Sequence, residues 1–368
     1  SSATVVNQSG LIETVGSGEP RIDFLGNTKG ALLLEPQRTN VNTKSENIQN
    51  WSFASNASGE YGYEDPFKGN KAVKLTSTSD AQTYQAYQGS SVLSSGTTYT
   101  YSIYAKRGTA YAFLIDFAIP NNGSVIVDLR DGSLISESGV GYIGYNVEAL
   151  SNGWYRISMT TTFNSSAYFR TGLFNQQGDC YVAFSQIEAG SYATSYIPTS
   201  GQSGGVTRVA EVCNNGANSQ VINSTEGVLY FEGSVLDIST PNSWISVSED
   251  ANINNNQFNL RFVADTNLIQ AVSRAGGLGQ DVVLQYTLSD KTTINKIAIK
   301  YKLNDWALWV NGIEVDTETS SVAFTPNSLD ILDFDRSNNS NQFYGNAKDV
   351  RVYNTALTDA ELAALTTI

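Results

Sequence analysis

Apolar and polar side chains alternate along one stretch after another between residues 41 and 199. Tyr99, Tyr101, Ile103 and Ala105 alternate with Thr100, Ser102, Tyr104 and Lys106. Tyr111, Phe113, Ile115 and Phe117 alternate with Ala112, Leu114 and Asp116, and Tyr155, Ile157, Met159, Thr161 and Phe163 alternate with Arg156, Ser158, Thr160 and Thr162. A period of two with one apolar face is the pattern of a half-buried antiparallel strand. Turn signals punctuate these runs: Ser95 with Gly96, Asn121 and Asn122 with Gly123, Asp131 with Gly132, and Asn152 with Gly153. Many short strands separated in this way predict a two-sheet sandwich. The pattern resumes after residue 227, where residues 228–235, 244–247, 257–263, 282–287, 296–303, 307–310 and 348–353 read as strands. Asn311 with Gly312 is a strong hairpin signal. One helix is predicted, at the C-terminal end of the sequence: Thr358 as N-cap and Glu361 three residues on form a capping box ahead of Leu362, Ala363, Ala364 and Leu365.

Punctuation also divides the chain. Residues 186–208 leave a strand, pass Tyr192, Tyr196 and Pro198, and enter a Gly/Ser run at 201–205. Proline cannot donate to a ladder and Gly/Ser runs behave as joints, so one domain closes here. The predicted organisation is an extended arm at 1–40, a first sandwich at 41–200, a linker at 201–226 and a second sandwich at 227–368. The arm has only short apolar pieces (11–12, 22–24 and 32–34), interrupted by glycines and Pro20, and is expected to pack on the next domain or on a neighbouring subunit. No short-period repeat is present, which excludes solenoids and propellers.

Composition sharpens this all-β reading. The chain has 368 residues, 15% charged and 40% hydrophobic, with 20 Tyr and a net charge of −13. That charge argues against nucleic acid or an anionic membrane as partner, because phosphate recognition rests on clustered Lys and Arg. Histidine is absent, which removes Ser-His-Asp and Cys-His catalysis and most zinc sites and leaves carboxylates as the available acid-base groups. Cys180 and Cys213 admit a single disulfide or two free thiols, and free thiols are the simpler reading. No apolar run approaches the roughly 18 residues of a spanning helix, so no membrane insertion is expected. No secretory leader is visible, and Ser1 reads as a trimmed start.

The motifs LLLEPQRTN (32–40), SENIQNW (45–51), QIEAGSYATSYIPT (186–199) and GVTR (205–208) together resemble a module of bacteriophage and prophage tail-fibre proteins. GLIETV (10–15) and EPRIDF (19–24) are similar to the lead-in of such proteins in phages of Bacteroidetes. TYTYSIYAKRG (98–108) and NGWYRIS (152–158) resemble jelly-roll carbohydrate-binding modules. LWVNG (308–312) and FYGNAKDVRVYNTALTDAELAAL (343–365) are similar to the concanavalin A-like, laminin-G-like lectins. These resemblances imply a trimeric virion component that attaches to bacterial surface polysaccharide or glycan alongside other tail proteins, outside the cell. The fold of the last family hosts binders and enzymes alike.

Candidate residues follow from the same patterns. Glu314, Asp316 and Glu318 spell E-x-D-x-E, the spacing of nucleophile, helper and acid in laminarinase-like and agarase-like hydrolases, and period two predicts all three on one face. With Asn311 and Gly312 as a two-residue turn, Val310, Leu308 and Trp306 are expected to face Ile313, Val315 and Thr317 on the core side. Trp309, Ala307, Glu314 and Asp316 then share the other face. Trp309 beside carboxylates would serve as a sugar platform. Tyr84 and Tyr87 sit among amides and would line a groove, although period two assigns them to opposite faces. Trp244, after the turn at 241–243, is a candidate at a loop edge, and the Asn-rich residues 252–256 read as a solvated loop with amides suited to glycans. Trp51 and Trp154 read as core. Asp333, Asp335, Ser337 and Asn339 have calcium-loop spacing, but neither a Gly at the sixth position nor a Glu at the twelfth (Tyr344 stands there), so only a looser calcium site at Asp333 and Asp335 is admitted and no cofactor is required. The function expected is non-catalytic glycan attachment. The alternatives are a secreted glycoside hydrolase using Glu314 and Glu318, and a structural virion protein without a ligand.

Overall fold

The computed structural model describes residues 3–81, 84–89, 93–118, 123–162, 168–249, 255–277, 279–337 and 339–368. Phe163, Asn121, Asn122 and residues 252–254 of the Asn-rich run lie outside the described residues. The chain is almost wholly β and divides into two compact units, residues 1–28 with 37–209 and residues 29–36 with 210–368.

Two antiparallel sheets build the first unit. One runs in the order Tyr142–Ala149, Trp154–Thr162, Thr98–Arg107, Gly178–Ala189, Ala72–Ser77 and Ala57–Tyr63. The other runs Leu134–Ser138, Gly123–Asp128, Ala112–Ala118, Tyr168–Leu173, Ala86–Gly89 and Ser52–Phe53. Alternation decides what is buried here. Tyr101 and Ile103 from the first sheet meet Phe113, Ile115, Phe117 and Val125 from the second. Trp51 belongs to this core, edge-on to Phe169 at 5.3 Å. The Thr98–Arg107 strand is buried on both faces: Tyr104 packs with Trp154, Phe184 and Tyr196 in a second apolar cluster. Both tryptophans are therefore structural.

The predicted arm does not exist as one element. Ala3–Val6 and Ile12–Val15 form a hairpin of the first unit, held where Thr4 Oγ1 donates to the Tyr196 carbonyl at 2.7 Å. Residues 31–34 instead join the second unit, pairing with Gly345–Tyr353. The short apolar pieces find their partners within the chain itself. The division between the units falls at 209–210, within the stretch predicted as linker, and Val206–Arg208 at its start pairs with Arg38–Asn40 inside the first unit.

In the second unit, Ile313–Glu318, Trp306–Val310, Asn295–Lys302, Glu226–Val235, Gly345–Tyr353 and Ala31–Leu34 are neighbours in that order. A five-stranded sheet runs Val283–Thr287, Leu268–Arg274, Gln257–Phe262, Ser243–Ser248 and Ile331–Asp333. Their inner faces close over Phe231, Phe258, Phe262, Tyr301, Trp306 and Leu308, with the Phe258 and Tyr301 rings 4.5 Å apart. Each such side chain contributes about 1.5–3 kcal/mol by leaving water. Asn311 and Gly312 both have positive φ (50° and 89°), the type I′ geometry the dipeptide predicts. Thr358 caps the helix Asp359–Thr366 through a complete capping box. Among the described residues no helix is long and apolar enough to cross a membrane. Cys180 and Cys213 are both free thiols.

Candidate functional site

Period two in the Gln257–Phe262 strand sends Phe258, Leu260 and Phe262 into the core and leaves Gln257, Asn259 and Arg261 on the outer face. Register then sets their neighbours. Trp244 lies opposite Arg261, Ser246 opposite Asn259, and Arg274 opposite Gln257. An outer sheet face is ordinarily solvated, but here a loop roofs it. Ser246 Oγ donates to the Asp335 carbonyl at 2.5 Å and lies 2.7 Å from Ser337 Oγ, while the Trp244 amide donates to the Asn341 carbonyl at 3.2 Å. The same loop brings Arg336 over the Trp244 ring, 4.9 Å from its centroid, and Arg261 approaches that ring at 5.5 Å.

Roof and sheet enclose a polar recess of ≈ 220 Å³. Trp244 is only 7% exposed and Asn259 1%. Among the described residues, Trp244 Nε1, Asn259 Oδ1, and the Nε atoms of Arg261 and Arg336 are buried without a hydrogen-bond partner. Leaving such groups unpaired costs about 1–3 kcal/mol each, and a ligand bearing hydroxyls or charged oxygens would pair them. Burial, with a smaller contribution from the Arg336 charge, pulls Arg261 below its ordinary guanidinium value. The recess thus offers donors, amides and positive charge around one indole.

The predicted residues are distributed differently. Trp244 does line the recess, but from a strand; with guanidiniums on its ring it offers an N–H donor and a wall instead of an open platform. Trp309 is also 7% exposed, in the cluster of Val228, Ala307 and Leu362 beneath the C-terminal helix, so no open ring face stands beside carboxylates. The E-x-D-x-E face does not form either. A bulge between Leu308 and Trp309 pairs Trp309 with Glu314, Leu308 with Asp316 and Trp306 with Glu318. Paired residues share a face, so Glu314 is separated from Asp316 and Glu318, and Val315, the extra residue, packs on the core. Asp316 accepts from the Gln285 amide at 2.8 Å and Glu318 from the Ser320 amide at 2.8 Å.

Tyr84 and Tyr87 are brought together, 6.0 Å apart, against the expectation of opposite faces; Tyr84 precedes the Ala86–Gly89 strand and escapes its alternation. Tyr168 joins them 5.5 Å from Tyr87, and Arg170 lies 4.3 Å from the Tyr84 ring while paired to Asp116. Asp333 and Asp335 are buried in the second unit. Asp333 accepts from the Asn215 amide at 2.8 Å and Asp335 from Asn214 Nδ2 at 3.3 Å. Burial raises the Asp333 carboxyl above the usual carboxylate range. Among the described residues no three His, Cys, Asp or Glu side chains come together to hold a metal. Arg261, Arg336, Asn259 and Arg274 were not legible as site residues: polar outer positions are what any half-buried strand shows, and only residues 335–337 and 341, laid across the face, convert them into a recess.

Residues 236–363 match the model of the concanavalin A-like lectin/glucanase superfamily. That segment contains the whole recess. Among solved structures, the chain is similar to the CBM40 module of the Ruminococcus gnavus IT-sialidase bound to α2,3-sialyllactose (16% identity, 43% of this chain and 95% of that one, TM-score 0.35). It is similar also to the leech intramolecular trans-sialidase (20% identity, 39% and 24%, TM-score 0.34) and to a SAP-like pentraxin of Limulus polyphemus (9% identity, 41% and 72%, TM-score 0.31). At these scores the likenesses say nothing of ligand. No curated protein matches the chain in sequence.

Proposed function

We propose that this chain binds glycan without catalysis, through the roofed recess around Trp244. One observation carries the reading: buried, unpartnered donors and an acceptor converge in a polar recess on the outer face of a lectin-like sheet. Saccharides present the hydroxyls such groups lack, and a recess this polar suits them. A single site of this size binds weakly, and repeated copies would give useful avidity. The setting we propose is attachment of a phage tail, as a trimer, to bacterial surface polysaccharide; the motifs at 32–40 and 186–199 support it, and sedimentation of the purified chain together with the identity of the adjoining genes tests it.

Titration of the full chain against a panel of bacterial oligosaccharides tests the site. Trp244→Phe keeps an aromatic ring, though a smaller one, and removes the N–H, and Asn259→Ala removes the acceptor; each is expected to weaken binding by roughly three- to tenfold. Unchanged affinity in both variants overturns the assignment, and absence of binding by the parent chain favours a structural protein without a ligand. Repeating the titration with calcium and with a chelator decides whether Asp333 and Asp335 contribute an ion.

A further inference from the structure

The recess has a charge that the rest of the chain does not. Overall the protein carries 22 basic against 35 acidic residues. Yet Arg261, Arg274 and Arg336 all line this one recess, and among the described residues no acidic side chain lines it. Among the described residues none of the three forms an ion pair. Arg261 spends one nitrogen on Gln270 Oε1 at 3.2 Å, and its Nε, like that of Arg336, is buried and unpartnered. Contact with the Trp244 ring stabilises the two guanidiniums in part. It supplies neither their hydrogen bonds nor a countercharge.

Two cations held against one buried ring repel each other, and a neutral ligand leaves that repulsion in place. A carboxylate or sulfate removes it and accepts the idle N–H groups, which the planar guanidinium presents in a fork matched to paired oxygens. We infer that the ligand of this recess is an acidic saccharide, its carboxylate or sulfate group met by Arg261 and Arg336 with Arg274 alongside. The inference rests on the reading of the recess as a glycan site and deepens it to a ligand class. The acid group orders the sugar and the amides of Asn259 and Gln257 take its hydroxyls.

The test uses the full chain and four probes: a galacturonic acid oligosaccharide, its neutral galactose counterpart, galactose 6-sulfate and inorganic sulfate. The acidic sugars are expected to bind at least about tenfold more tightly than the neutral one, with an affinity that falls as salt rises. Comparison of the uronic and sulfated sugars identifies the acid group, and sulfate alone is expected to compete weakly. Arg336→Gln and Arg261→Gln should each remove most of the preference for acid, while Arg336→Lys restores part of it. Equal binding of acidic and neutral sugars, both weakened by Trp244→Phe, overturns this inference and leaves the glycan reading standing. Binding of sulfate with no saccharide preference overturns both, as does no binding at all.

Discussion

Glu188 gives the sharpest test of how the first unit is held. Its carboxylate is fully buried and accepts three hydrogen bonds: from Gln186 Nε2 at 2.7 Å, from the Thr194 amide at 2.9 Å and from Thr194 Oγ1 at 2.6 Å. Arg38 lies 3.8 Å away. Glu188→Ala leaves these donors to their alternatives. Gln186 Nε2 keeps the Thr194 and Ser195 carbonyls at 3.3 and 3.4 Å, and the Thr194 hydroxyl can rotate. The Thr194 amide has no substitute and stays buried, which costs about 1–3 kcal/mol, with a further 1–2 kcal/mol for the charge-assisted hydroxyl bond. Loss of the carboxylate also removes the cost of burying its charge, which offsets part of this, so the expected loss is about 2–4 kcal/mol. Glu188→Gln keeps one acceptor for the amide and should lose about half as much.

In urea a loss of that size moves the midpoint by roughly 1–2 M. The assay is urea unfolding read by hydrogen exchange in peptides from the Thr98–Arg107 and Gly178–Ala189 strands, which report this unit alone. A midpoint for Glu188→Ala within experimental error of the parent would refute the reasoning, since a buried amide would then have been orphaned at no cost.

Three further outcomes are expected. Arg130, bonded through Nε to both Asp128 oxygens at 2.9 and 3.0 Å, holds that carboxyl below its ordinary 3.8, so its contribution to stability is present above that value and is lost as pH falls through the folded value. Burial raises Asp116 despite Arg170, so its contribution is full below 3.8 and declines as pH rises through the folded value; urea midpoints against pH should lose the first dependence in Asp128→Asn and the second in Asp116→Asn. Cys213, half-buried, should react with a thiol reagent in the folded chain long before Cys180, whose burial in the core raises its thiol and blocks access, and equal rates would contradict the packing. Glu314→Gln and Glu318→Gln should leave glycan affinity unchanged, and the parent should release no reducing sugar from the polysaccharides it binds; release abolished by either variant would restore the hydrolase alternative.

Much of the fold was legible because it depends on local rules. The Asn311 and Gly312 turn, the capping box of Thr358 and Glu361, and the strands at 228–235 and 257–263 each follow from residues close in sequence. What was not legible depended on distant partners. The pieces at 11–12 and 32–34 look too short for a core until Pro66 accepts from the Ile12 amide and Gly345–Tyr353 pairs with Ala31–Leu34. The bulge at Val315 breaks a period-two argument that was sound for a regular strand, and with it goes the shared face of Glu314, Asp316 and Glu318. Trp309 was read as a platform because nothing in LWVNG says that Leu362 will cover it.

The recess shows the same limit from the other side. A half-buried strand has an apolar face and a polar face, and sequence reports both without saying whether water is what the polar face meets. In Ser243–Ser248 and Gln257–Phe262 the polar face is buried except at half-buried Arg261, because residues 335–337 and 341 lie across it. Trp244 Nε1, Asn259 Oδ1 and the Nε atoms of Arg261 and Arg336 are shut off from solvent with no partner among the described residues. A structural role would favour apolar side chains at such positions, since burying polar groups unpaired weakens a fold. Their presence there is explained if something other than water completes them, which points to this roofed face and not to the carboxylates of the hairpin, where Asp316 and Glu318 already hold backbone amides.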